Sequence, residues 1–327
     1  MICLGIESTA HTFGVGVVDD GEVLANVKSA YEPEEGGIHP RKASEHHYSS
    51  AKGVIHGALD SAGLEEEDVD LVAFSQGPGI PQCLQIGGVS ARSLSKKLEV
   101  PMVGVNHCIA HIEIGKLTTD AENPVTLYVS GGNSQVIAHA GDRYRVFGET
   151  LDIAVGNAID KFARSMDIPH PGGPEVERLA GKADRDDLME LSYTVKGMDF
   201  SFSGLVTEAQ RKLKDHGEEE TCYSFQEHAF AMLVEATERA MAHLGNDEVL
   251  LTGGVAANRR LQEMVETMAE ERGGRGFKVP HEYCMDNGAM IAYTGLLKHR
   301  AGMETKLIDS GIKPNWRTDE EEIGWIR

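Results

Sequence analysis

Residues 2–30 read ICLGIESTAHTFGVGVVDDGEVLANVKSA, and residues 125–149 read VTLYVSGGNSQVIAHAGDRYRVFGE. In the first stretch an apolar run ends at Glu7, a polar loop follows to His11, and alternation then resumes. Asp19-Asp20-Gly21 turns the chain into a third alternating run. Alternation punctuated by such a turn predicts a three-stranded meander. The second stretch repeats the rhythm, with a loop at Gly131-Gly132-Asn133 and a turn at Gly141-Asp142. Two copies of one unit imply a structural duplication.

Outward from these meanders both halves continue alike. DLVAFSQGPGI (70–80) precedes an amphipathic helix over 85–99, and EVLLTGGVAAN (248–258) precedes one over 258–272, so each is a strand-turn-helix unit. VPMVGVNH (100–107) and GFKVPHEY (276–283) are a further strand in each half, followed by helices opening at His107 and Asp286. Two segments break the symmetry: a helical stretch near 43–62, and an insertion near 155–215 carrying HPGGPEVERLAG and KGMDFSFSGL. The expected lobes are 1–122 and 123–327, with a C-terminal segment packing back on the first. Such lobes resemble the actin, sugar-kinase and heat-shock ATPase superfamily. The expected fold class is therefore α/β, a duplicated actin-like ATPase fold around a central cleft that holds a nucleotide. A fold alone does not fix the chemistry.

Composition bounds the function. The 327 residues are 41% hydrophobic and 25% charged, as in an ordinary soluble protein, and no apolar run reaches the roughly 20 residues of a membrane span. The first residues, MICLGIE, lack a basic region and a cleavage site, which points to a cytoplasmic protein. Five scattered cysteines, Cys3, Cys83, Cys108, Cys222 and Cys284, do not make a disulfide framework. A net charge of −21 argues against autonomous nucleic-acid binding, because phosphate contacts need cations. Basic residues cluster only locally, at Arg41/Lys42, Arg92/Lys96/Lys97 and Arg259/Arg260, and each cluster also reads as solvated helix charge. The acidic runs 65–68 and 319–322 read as surface.

The residues with chemistry stand at corresponding places in the two halves. His107 and His111, four apart, share one helix face and form half a zinc or iron site, although paired helical histidines also occur without metal. The duplication places Asp286 at the mirror position, where it offers an oxygen ligand or a plain helix cap. Cys108 stands where a zinc protease of the H-E-x-x-H type needs its glutamate, which disfavours peptide hydrolysis. Glycine turns at 77–79, 131–132 and 253–254 follow strands and suit close approach to a phosphate, or are ordinary turns. No Walker loop or dinucleotide fingerprint is present.

The motifs GPG, VGVNHCIAHIE, LYVSGGNSQV, FGETLDIAVGNAIDKFAR, PGGPEVE, KGMDFSFSGL, LTGGVAANRRLQEM and DNGAMIA, in that order along nearly the whole chain, resemble the tRNA threonylcarbamoyladenosine transferase family. The GIHPRKASEHH segment (37–47) is similar to its archaeal and eukaryotic branch. The resemblance implies the catalytic subunit of a KEOPS complex that transfers threonylcarbamoyl from threonylcarbamoyl adenylate to the exocyclic amine of the adenosine beside the anticodon, releasing AMP. It places the metal ligands on His107, His111 and Asp286, with Tyr128 as a fourth, and the adenylate site on Tyr128, Val129, Ser130, Gly131, Gly132, Asp160, Gly173, Glu177 and Asn258. The implied cofactor is one divalent ion, iron or zinc, alongside an adenylate, ATP or AMP with or without magnesium. The implied partners are tRNA, a small kinase or ATPase and a small dimerising subunit. No residue is assigned as general base. Glu7 either acts near the site or merely closes its strand. The competing readings are an actin-like ATPase or small-molecule kinase, in which the histidine pair is unexpected, and a nucleotide-gated scaffold that would not need the metal ligands.

Overall fold

In the computed structural model, which describes residues 1–33 and 37–326, the first meander consists of β1 (Ile2–Glu7), β2 (Thr12–Asp19) and β3 (Glu22–Ala30). β1 and β2 run antiparallel from Ile2 opposite Asp19 to Glu7 opposite Gly14. The next turn puts Asp20 at φ 49° and Gly21 at φ 105°, the left-handed pair that a two-residue hairpin uses. α1 (Pro40–Ala62) follows, opened by a proline in its first turn and closed by Gly63 at φ 69°. It starts three residues before the expected position 43. Then come β4 (Leu71–Gly77), α2 (Pro81–Leu98), β5 (Met102–Asn106) and α3 (His107–Thr118). β4 joins β1 and β5 joins β4, both parallel, so the sheet order is β3-β2-β1-β4-β5.

The second sheet repeats this. β6 (Val125–Val129), β7 (Ser134–Ala140) and β8 (Arg143–Glu149) form its meander. After it come α4 (Val155–Ala163), α5 (Gly173–Ala180), the short pair β9 (Val195–Lys196) and β10 (Asp199–Phe200), α6 (Ser203–Lys212) and α7 (Glu218–Leu244). β11 (Glu248–Thr252), α8 (Arg259–Glu271), β12 (Arg275–Lys278), α9 (His281–Cys284) and α10 (Gly288–Arg300) complete the chain's regular elements. β11 lies parallel to both β6 and β12, and the order β8-β7-β6-β11-β12 matches the first sheet strand for strand. The duplication read from the two meanders is thus a duplication of topology.

The chain divides into two compact units, one of Met1–Thr118, Ala140–Tyr144 and Met285–Arg327, the other of Thr119–His139 and Arg145–Cys284. In the first unit α10 lies directly on the sheet, because the strands carry glycine beneath it. A Cβ at Gly5 would stand 2.1 Å from the Ala292 nitrogen, and one at Gly16 2.1 Å from the Ala289 nitrogen. No other residue permits that approach. The segment after α10 is pinned to the ends of β4 and β5: the Lys313 amide donates to the Gln76 carbonyl (2.7 Å), and the Gln76 side-chain amide donates to the carbonyls of Asp309 (2.9 Å) and Gly311 (2.7 Å). Buried Lys298 donates to the Gly104 carbonyl (2.7 Å) and to buried Glu321. That satisfies two charges which would otherwise be costly inside the protein.

In the second unit the inserted helices are core, not appendage. Phe162 of α4 stacks on Phe225 of α7 with ring centroids 4.6 Å apart, and Phe200, Phe202 and Leu205 are buried in the same cluster. The five cysteines are buried free thiols. Among the described residues no helix is long and apolar enough to cross a membrane.

Candidate functional site

The first unit gathers a buried charged cluster at the carboxyl ends of its parallel strands, where open α/β sheets bind ligands. Asn106, the last residue of β5, starts α3: its Oδ1 accepts from the Cys108 (3.0 Å) and Ile109 (3.4 Å) amides, while its Nδ2 donates to the Arg317 carbonyl (3.3 Å). Capping at this point sends His107 and His111 from one helix face into the interior. Both histidines are buried, with ring centroids 4.8 Å apart and planes at 86°. Asp286 reaches them from the loop before α10. Its Oδ1 lies 3.5 Å from His107 Nε2 and 3.3 Å from His111 Nε2.

Asp286 is released for this by its neighbour. The sequence allowed it to be the cap of the following helix, and expected the helix to open there. Instead Asn287 is the cap, its Oδ1 accepting from the Met290 amide (3.0 Å), and α10 opens at Gly288. One aspartate and one asparagine in succession thus divide the contact with the histidines and the helix cap between them.

Behind His107 stands Glu7, fully buried at the end of β1. Its Oε2 lies 3.0 Å from His107 Nδ1, and its Oε1 accepts from the Thr9 amide (2.6 Å) and hydroxyl (2.5 Å). A carboxylate on Nδ1 holds that nitrogen protonated and turns Nε2 toward Asp286, the usual outer-shell arrangement of a metal-bound histidine. Burial works against a charged His107, but the Glu7 and Asp286 carboxylates outweigh it and raise its pKa to about 9. His111, equally buried and next to that charge, is pushed below its ordinary value. Burial opposes ionisation of Asp286 as well, yet the two imidazoles hold it well below the carboxylate range. The cluster therefore stabilises one positive charge. His107, His111 and Asp286 offer three ligand atoms within 4.8 Å of one another, a set that fits a divalent ion of the zinc or iron type.

The remaining candidates lie in the second unit. Tyr128 and Val129 end β6, fully buried, and Ser130, Gly131 and Gly132 form the loop to β7. The Gly156 amide at the start of α4 donates to the Ser130 carbonyl (3.3 Å). Next to this loop is the turn after β11. Gly253 has φ 96°, and a Cβ there would stand 2.2 Å from the Val129 carbonyl oxygen, so only glycine brings the two loops together. Asp160 accepts from the Gly172 amide (2.8 Å) and lies 3.0 Å from His170 Nδ1. Gly173 begins α5 with open space above it, and Glu177 of that helix accepts from the Arg259 amide (2.9 Å). Asn258 caps α8, its Oδ1 accepting from the Arg260 (2.9 Å) and Leu261 (3.2 Å) amides and its Nδ2 donating to Gln226 (2.9 Å).

Sequence reasoning left Glu7 undecided and passed over Asn106. The signal available for Asn106 was a capping residue at a strand–helix junction directly before the histidine pair. For Glu7, 100 positions from His107, the available signal was an acidic residue closing an otherwise apolar first strand.

Comparisons with known proteins match this architecture. The family model described as TsaD, tRNA N6-adenosine threonylcarbamoyltransferase, matches residues 22–293. The tRNA N6-adenosine threonylcarbamoyltransferase of Thermococcus kodakarensis is 56% identical over 327 residues, covering 99% of this chain and 100% of that protein. A Methanocaldococcus jannaschii protein named "Probable bifunctional tRNA threonylcarbamoyladenosine biosynthesis protein" is 54% identical over 330 residues, covering 100% of this chain and 61% of that one. Among solved structures, HypF of T. kodakarensis superposes with a TM-score of 0.64 at 15% identity, over 90% of this chain and 47% of its own. At that identity the likeness concerns the fold alone, the duplicated actin-like ATPase fold. The chain therefore belongs to the tRNA N6-adenosine threonylcarbamoyltransferase family and is a transferase that modifies tRNA.

Proposed function

We propose that the donor is threonylcarbamoyl adenylate, that the acceptor is the exocyclic amine of the adenosine beside the anticodon, and that the chain works in the cytoplasm as the catalytic subunit of a KEOPS-type complex. The observation that carries the catalytic part is the convergence of His107 Nε2, His111 Nε2 and Asp286 Oδ1, backed by Glu7. In the reaction the adenosine nitrogen bonds to the carbamoyl carbon and gives up one proton to solvent, the carbon–oxygen bond to the phosphate breaks, and AMP leaves with the electron pair. Iron or zinc at these residues would supply Lewis acidity toward the carbamoyl carbonyl.

The chain's own residues account for the rest. Glu7 keeps His107 in one tautomer and one orientation, and Asn106 holds the helix that presents both imidazoles. The Gly131 and Gly132 amides of the loop after β6 are offered to the phosphate, and Asp160, Gly173, Glu177 and Asn258 frame the nucleoside of the adenylate. An acyl phosphate is already activated, so orientation supplies much of the rate and no general base is assigned. The acidic balance of −21 supports assembly with more basic subunits, among them a small kinase or ATPase and a small dimerising protein. The length of the bifunctional relative beyond the match is consistent with a further component.

The test is to mix the chain with threonylcarbamoyl adenylate, tRNA and iron or zinc, with and without partner subunits, and to follow modified adenosine by mass spectrometry. Product is expected from the native chain. From His107→Ala with His111→Ala it should fall by about a thousandfold or more, the loss of several kcal/mol of transition-state stabilisation. Robust ATP turnover with no product would move the reading to a kinase or ATPase.

A further inference from the structure

In this acidic chain several of the second unit's arginines are neutralised: Arg260 is held by Glu227 at 2.6 and 2.8 Å, Arg275 by Glu248 at 2.7 Å, and Arg178 by Glu175. Lys161 and Arg164 at the end of α4, and Arg211 and Lys214 at the end of α6, are different. All four are exposed, and none makes an ion pair among the described residues. Two of the neighbouring acids are engaged elsewhere, while Asp167 and Asp215 are exposed. Glu208 accepts from the Ser192 amide (2.7 Å) and hydroxyl (2.5 Å), and Asp160 is taken by His170 and the Gly172 amide. Cations at helix carboxyl ends answer the helix dipole, and here they do so without a direct ion pair.

The same face is hollowed. A depression of about 630 Å³ is lined by Ser165, Thr207, Gln210, Arg211, Leu213 and Lys214. A second, of about 530 Å³, shares Thr207 and Arg211 and adds Ser192, Ser203, Gly204 and the carboxylate of Glu208, which is itself held by Ser192. The Gln210 side chain donates to the Lys161 carbonyl (3.2 Å), so the two helix ends form one surface. Guanidinium, ammonium and hydroxyl groups around an open trough are the donors that a sugar-phosphate backbone accepts. The trough is also near the candidate adenylate loop: α4 starts at the Ser130 carbonyl, and at about 1.5 Å per residue Arg164 lies roughly 12 Å along it. That is about three or four stacked nucleotides at about 3.4 Å each.

We infer that this trough, formed by the carboxyl ends of α4 and α6, binds the phosphodiester backbone of the tRNA a few nucleotides from the modified adenosine. The inference rests on the transferase reading and names the surface through which an acidic chain holds its polyanionic substrate.

The experiment compares Arg211→Glu with Lys214→Glu against a control with the same charge change on other exposed lysines, Lys28→Glu with Lys278→Glu. Both are assembled with the partner subunits, and tRNA affinity is measured by fluorescence anisotropy across a salt series, with AMP binding and metal content as checks of folding. The trough variant should lose at least about tenfold in affinity, with the slope of log affinity against log salt falling by about 1.5 to 2 as two phosphate contacts disappear. The control should stay near the native enzyme, and Arg211→Lys should retain most of the affinity. Equal losses in both double variants, or no loss in either, would overturn the trough while leaving the transferase reading intact. A native complex that neither binds tRNA nor yields modified adenosine would overturn that reading and the trough with it.

Discussion

The two sheets share one strand order, yet they present different chemistry at the carboxyl ends of their strands. In the first unit the ends of β1 and β5 carry side chains, Glu7, His107 and His111, which Asp286 joins from the loop before α10. In the second the ends of β6 and β11 carry Ser130, Gly131, Gly132 and Gly253, and what they offer is backbone. By strand order β6 corresponds to β1, whereas β11 corresponds to β4 and β5 to β12, so the duplicated scaffold uses one shared place and one different place in each copy. One copy is specialised through buried ionisable groups and the other through glycine, whose missing side chain brings loops into contact. The first kind of site is tuned by electrostatics, the second by space.

The largest effect is expected where space decides. Gly253→Ala would force a side chain into a backbone conformation reserved for glycine and against the Val129 carbonyl. It should cost roughly 3 kcal/mol or more in unfolding free energy. It should also weaken AMP binding, measured by calorimetry, with metal content unchanged. Loss of metal along with AMP affinity would mean that the division of labour between the two sheets is wrong.

Electrostatic tuning should give a smaller, more selective change. Glu7→Gln preserves shape while removing the charge that orients His107, so metal affinity in a chelator competition should drop about 10- to 100-fold. AMP affinity and melting temperature should change little. An unaltered metal affinity would reduce Glu7 to a strand-closing residue.

The smallest effect concerns the ionisable pair of the second unit. The Asp160 carboxylate raises the pKa of His170 above its ordinary 6.5. Burial pushes Asp160 up, but His170 and the Gly172 amide outweigh it and hold Asp160 low. A raised histidine stabilises fully below about 6.5 and loses that contribution as pH rises through its folded value. A depressed aspartate contributes above its unfolded value, about 3.9, and loses that as pH falls through its folded value. His170→Asn should therefore lower the melting temperature most near pH 5 to 6 and progressively less toward alkaline pH, by about 1 kcal/mol at most. A destabilisation that does not vary with pH would show that His170 acts through packing and not charge.

Much of the architecture was legible because it is local. Period-two alternation, the Asp-Gly and Gly-Asp turns and the glycine-ended strands are properties of neighbouring residues, and they gave both meanders and the strand-turn-helix units of each sheet. The shared face of His107 and His111 is equally local, a consequence of four-residue spacing on a helix. The role of Asp286 was open to two readings, and Glu7 was left between a strand end and a site residue. What they touch is decided by contacts over 100 or more positions of sequence. They depend on how closely α10 lies on β1 and β2, which Gly5 and Gly16 permit, and on Asn287 taking the cap. The sequence by itself determined which residues could be ligands and on which elements they stand. Only the tertiary structure decided which of them meet, because the register of a helix on a sheet is set by close packing between distant segments and leaves no periodic mark in the chain.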